Sequence, residues 1–197
     1  MALIKSALEI ALEKTGDIKG DKAALALAAG REEGKRLASA FFQDPGTDVA
    51  GRLKEIPRER LAAVREGFFG VVSANLTLPR DEEDLAKLEV IGRALEAVIK
   101  DRNGVRYLRD QLVQFFQQCV ADRKNLAEAI MKQLQPSLRQ KEAQLARQVG
   151  RPVKIDPMAD PDFAKAFNQN MGGLESRYGE VLARVKTELA AMFEKSA

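Results

Sequence analysis

From Val105 to Val149 apolar side chains return every three or four residues, and this run constrains the chain more than any other feature. Val105, Leu108, Leu112, Phe115, Phe116, Cys119, Leu126, Ile130, Leu134, Leu138, Leu145 and Val149 keep the period of an α-helix, not the alternation of a strand. At about 1.5 Å per residue such a helix reaches roughly 68 Å. A second stripe follows in Phe167, Met171, Leu174, Tyr178, Val181, Val185 and Met192, close to a heptad repeat, with Leu182 and Leu189 beside it. It predicts a helix over 161–195 of roughly 53 Å. Gly150, Pro152, Pro157 and Pro161 interrupt the two stripes, because proline removes a donor and crowds the preceding turn. Two long helices joined by a connector of about ten residues most simply fold back on each other. The expectation is a long antiparallel, coiled-coil-like helical hairpin over 105–197, with a Pro-rich tip at 150–161. Pro136 should kink its first helix, where it takes away one hydrogen bond.

Upstream the helices are shorter, and 1–104 is expected to form a compact helical portion. Leu3, Ile4, Ala7, Leu8, Ala11 and Leu12 line one face of a first helix that should stop near Thr15-Gly16. The following GDIKGDK reads as a linker, so that 1–15 is a candidate tethered amphipathic helix. A helix over about 22–42 ends at Gln43-Asp44-Pro45-Gly46, and a short one is expected over 49–56. Pro57 suits the first turn of the next, which carries Leu61, Val64, Phe68, Val71, Val72 and Leu76. After Leu78-Pro79, a helix over 82–99 carries Leu85, Leu88, Ile91, Leu95, Val98 and Ile99, and Asp101-Arg102-Asn103-Gly104 reads as a turn. The fold class is therefore all-α, with five to six helices.

The 197 residues contain no His and a single Cys, Cys119. The usual general base and commonest metal ligand are missing, as are a disulfide framework and an all-Cys zinc site. Asp81-Glu82-Glu83-Asp84 stands where a helix begins, and acids there oppose the positive end of the helix dipole. Asp156, Asp160 and Asp162 offer alternating oxygens, but the glycine and the twelfth-position glutamate of a calcium loop are misplaced. Turn and cap roles fit them better, with Asp160-Pro161 opening a helix. Cys119 lies on the apolar stripe and reads as a small core residue. Gly30 and Gly34, like Gly67 and Gly70, follow no strand, which excludes a phosphate loop, and suit a close approach of two helices. No cofactor is called for, no catalytic constellation is seen, and the chain is expected not to be an enzyme.

No stretch approaches 18 apolar residues without charge, and the N-terminal segment is interrupted by Lys5 and Glu9, so neither a membrane span nor a secretory leader is expected. The expectation is a cytoplasmic protein. Its charges are unevenly placed: residues 100–154 hold 12 basic and 5 acidic groups, within a chain whose net charge is only +3. Those cations can track phosphates, or pair with Glu175, Glu180 and Glu188 of the last helix. Around the tip, Arg139, Lys141, Arg147, Arg151 and Lys154 lie beside Val153, Ile155 and Met158. Positive charge next to apolar side chains on a protruding end is what a partner-binding surface looks like. These eight residues are the candidate site. The function expected is that of a non-enzymatic interaction or scaffold protein whose partner is another protein. The alternative is a nucleic-acid- or ribosome-associated factor, binding RNA through 100–154, and a second alternative, ranked below it, is an enzyme using carboxylates or Lys without His. A homodimer through the C-terminal helices is a further possible assembly.

Overall fold

A computed structural model describes the backbone of residues 7–196 and the side chains of residues 22–196. The fold is all-α. Six α-helices, α1 (Ala7–Gln43), α2 (Val49–Glu55), α3 (Arg58–Asn75), α4 (Ala86–Val98), α5 (Arg102–Val149) and α6 (Pro161–Glu194), are joined by loops and two single 3-10 turns, with no strand among the described residues.

The residues group into two compact units that interleave along the chain. The first comprises the described residues of Met1–Leu76, Val90–Val105 and Ala190–Ala197, and the second comprises Thr77–Glu89 and Arg106–Leu189. The first unit thus draws on residues beyond 189, and the second on residues before 90. Both lie across the boundary that the sequence suggests at 104–105.

In the first unit α1 and α3 approach closely because glycine leaves room for backbone. A Cβ on Gly34 would stand 1.9 Å from the carbonyl oxygen of Val64, and one on Gly67 would stand 2.0 Å from that of Arg31. Burial of Phe41, Val64, Phe68 and Val72 follows from this approach. An ion pair from Arg31 to Glu66 (2.9 Å) and another from Arg60 to Glu33 border it. Asp48 caps α2, its Oδ1 accepting from the Gly51 N–H at 2.8 Å. Phe193, from the end of α6, stacks on Phe69 with ring centroids 4.4 Å apart. Ser196 is tied by its Oγ, which accepts from the Lys100 N–H at 2.9 Å and donates to the Met192 carbonyl at 2.8 Å.

In the second unit α5 and α6 meet along their stripes, and the contacts descend α5 as they climb α6. Phe115 packs on Tyr178, Arg123 pairs with Glu175 at 2.6 Å, and Lys141 pairs with Asp160 at 2.6 Å. Leu112, Phe116, Cys119, Ile130 and Leu138 of α5 are buried, as are Phe163, Leu174 and Leu182 of α6, and Ile130, Leu138 and Phe163 form one cluster across the two helices. The acidic run opens α4 through a turn: Asp81 Oδ1 accepts from the Asp84 N–H at 3.1 Å, while Asp84 takes Lys87 and the Arg80 N–H (3.0 Å).

Three local expectations are corrected. Helix α1 runs unbroken from Ala7 to Gln43, through the segment where a linker was expected. Gly16 and Gly20 each cost a helix about 1 kcal/mol relative to Ala, but no proline forbids propagation from the residues that follow. The apolar face assigned to residues 3–12 lies outside the described side chains. Pro57 sits one residue ahead of α3, as its cap position. Asp101-Arg102-Asn103-Gly104 is no turn but the start of α5: Asp101 Oδ1 accepts from the Gly104 N–H at 2.9 Å. An aspartate with its acceptor free serves a turn and an N-cap equally well, and the stripe beginning at Val105 favours the cap.

Candidate functional site

The connector between α5 and α6 is built by its turn residues. Gly150 takes φ +72, the left-handed conformation that ends a helix, and its N–H bonds the Ala146 carbonyl at 2.9 Å. Asp156 Oδ1 accepts from the Met158 N–H at 3.1 Å, which folds Pro157–Ala159 into a single turn. Asp160 then starts α6 as the Asp-Pro pair predicts, its Oδ1 accepting from the Phe163 N–H at 3.0 Å.

Two side chains of α5 hold this connector down. Lys141 Nζ donates to Asp160 Oδ2 (2.6 Å) and to Asp162 Oδ2 (2.8 Å). The bond to Asp160, then that to Asp162, raises the Lys141 ammonium above its ordinary value, and the ammonium together with the Phe163 N–H holds Asp160 below the usual carboxylate range. Glu142 Oε1 accepts from the Ile155 N–H at 2.9 Å. The Ile155 side chain packs against a small core of Ile130, Leu138 and Phe163. Lys141 and Ile155 are therefore spent inside the tip, and Val153 is half-buried.

The remaining members of the candidate site stand outward. Arg139, Arg147, Arg151 and Lys154 are exposed, and no carboxylate among the described residues pairs with them. Met158 is 49% exposed. The stripe of α5 also outruns its partner, since the Lys141–Asp160 pair marks where α6 begins. Beyond it Leu145 is 38% and Val149 55% exposed. This end therefore carries four cations with no acid partner among the described residues, together with three exposed apolar side chains.

Other groups that chemistry could use are occupied. Cys119 is 1% exposed, and burial pushes its thiol up, away from the reactive thiolate. Asp156, Asp160 and Asp162 serve turns, caps and Lys141, and no group of three potential metal ligands occurs among the described residues. Sequence reading misses one polar pair: Tyr178 Oη donates to Asp122 Oδ2 at 2.7 Å, and Gln118 donates to Asp122 Oδ1 at 2.7 Å. Burial, then the bond to Asp122, pushes the Tyr178 phenol up to about 12. The signal was the acid at 122, three residues after Cys119 on the stripe, opposite a tyrosine on the other.

A family model described as a family of unknown function, DUF6657, matches residues 50–191, well over half of the chain. The chain belongs to the DUF6657 family. The DUF6657 stretch holds the whole tip and leaves α1 outside. No curated protein and no solved structure matches the chain. No helix among the described residues is long and apolar enough to cross a membrane.

Proposed function

We propose that the chain is a non-enzymatic interaction protein that engages an acidic protein partner through the connector between α5 and α6. The observation that supports this reading is the pairing of unspent charge with unspent apolar surface. Arg147, Arg151 and Lys154 pair with no acid among the described residues, while Leu145, Val149 and Met158 at the same end remain exposed. A phosphate backbone would use the cations but offers little to the apolar side chains; an acidic protein surface with apolar anchors uses both. Elsewhere on α5 the basic excess is partly consumed, with Arg123 on Glu175 and Arg109 on Glu89 and Asp110.

The test is co-purification from native lysate with the full chain, with and without nuclease. A triple variant, Arg147→Glu, Arg151→Glu and Lys154→Glu, is run beside it. We expect the variant to melt as the parent does and to lose a protein partner whose capture is nuclease-resistant and weakens with salt. Replacing Leu145 and Val149 by Ser should also abolish capture. Recovery that nuclease removes would favour the RNA- or ribosome-associated alternative, and identical partners for parent and variants would remove the tip from the function.

A further inference from the structure

A second cluster of cations lies in the first unit, remote in sequence from the tip. A wide-mouthed pocket of about 500 Å³ there is lined by Lys54, Arg65, Lys100 and Arg102, with Glu96 as the carboxylate in its wall. Its apolar lining is supplied by Leu53, Leu61, Val98 and Ile99. The volume falls within the range of small-molecule sites, and the lining has their usual composition, apolar with a few convergent polar groups.

Arg65 is the unusual member. Its Nη2 donates to the Val98 carbonyl at 2.5 Å and to the Ser196 carbonyl at 3.0 Å, and its guanidinium lies 5.7 Å from the centre of the Phe193 ring. These contacts fix the plane of the fork, yet every partner is neutral. The other guanidinium nitrogens bond nothing among the described residues. Burial pushes this arginine below its ordinary value, the mark of a cation partly stripped of water without a counter-charge. Such a group ordinarily pairs with an acid when it is taken out of solvent. Lys54, Lys100 and Arg102 are exposed around it and form no ion pair with any described residue.

The geometry points to a binding site for a small organic anion, a carboxylate or phosphate head held by Arg65 and the two lysines with an apolar body against Leu53 and Leu61. The guanidinium supplies the fork that fits two oxygens, and the lysines supply point charges that reach in from the rim.

Octanoate, octylammonium and inorganic phosphate serve as probes, titrated into the full chain and followed by calorimetry and amide chemical shifts. Octanoate should bind at least tenfold more tightly than octylammonium and shift the amides of residues 53–65 and 96–102. The double variant Lys54→Gln, Lys100→Gln should weaken octanoate at least fivefold with an unchanged melt. Arg65→Lys, which keeps the charge and loses the fork, should weaken it further. The Lys54 and Lys100 side chains make no hydrogen bond or ion pair with any described residue, so the double variant is informative even if Arg65 variants unfold. Equal binding of octanoate and octylammonium, an unchanged double variant, or shifts elsewhere would each overturn the site. Phosphate binding as tightly as octanoate would overturn the apolar half of the proposal.

Discussion

Single residues in this protein divide into those that fill a space and those that leave one. Gly34 leaves one. Its replacement by Ala puts a methyl group 1.9 Å from a backbone oxygen that cannot turn aside, so α1 and α3 must separate. Overpacking of this kind costs about 1–3 kcal/mol, and Gly34→Ala should lose at least that in a urea melt. Gly70, on the same helix as Gly67 but with nothing within 4 Å, should gain up to about 1 kcal/mol on the same substitution. The small-xxx-small spacing made the close approach legible for Gly30 and Gly34, but nothing in the sequence separates Gly67 from Gly70. Which glycine faces the neighbouring helix is decided by the crossing. Asp160 carries a second prediction. Its carboxyl is held below the usual range in the folded chain, so its contribution is present above about pH 4 and fades as pH falls through the folded value. Asp160→Asn should therefore be less stable than the parent at pH 7, and the gap should narrow toward pH 3. A gap of constant size would mean that the cap, not the charge, carries the effect.

At the scale of elements, periodicity carried most of the information. The stripes located α5 and α6 to within three residues at every end, because a buried face on a long helix repeats too often to be mistaken. Where packing says little, local composition misleads: α1 crosses a polar, glycine-containing segment that propensity alone would break. The tip was legible as charge and apolar content, but not in its allocation. That Lys141 turns inward to Asp160 and Asp162 while Arg147 and Arg151 pair with no described acid depends on where α6 starts, which sequence spacing fixes only through Asp160-Pro161. Pro136 gives the prediction at this scale. It is exposed within an unbroken α5, and proline in a helix interior costs about 3 kcal/mol relative to alanine. Pro136→Ala should raise the midpoint of thermal unfolding followed by circular dichroism. A fall instead would show that the missing hydrogen bond shapes the path of α5 onto α6.

On the scale of the whole molecule, the feature that matters is interleaving. The first unit contains α1, α2 and α3 from the beginning of the chain and Ala190–Ser196 from its other end. Phe193 stacks on Phe69, and Ser196 receives both the Lys100 N–H and the Arg65 guanidinium. Ending the chain after Leu189 should therefore loosen the first unit, although no residue of α1 to α4 has been touched. Faster hydrogen exchange in α3 and at Val98–Lys100 would register it, while α5 and α6 around Ile130 keep their protection. Stripe patterns cannot show this, since both helices look like simple continuations where they pass from one unit to the other.

The same arrangement sets an order in time. A ribosome adds about 5–20 residues per second, so roughly 6–23 s separate the emergence of Leu76 from that of Phe193. Throughout that interval Phe69 has no ring to stack on and Arg65 lacks its second carbonyl. The nascent first unit must wait with an unfinished face, and whatever shields apolar surface during synthesis has a task there.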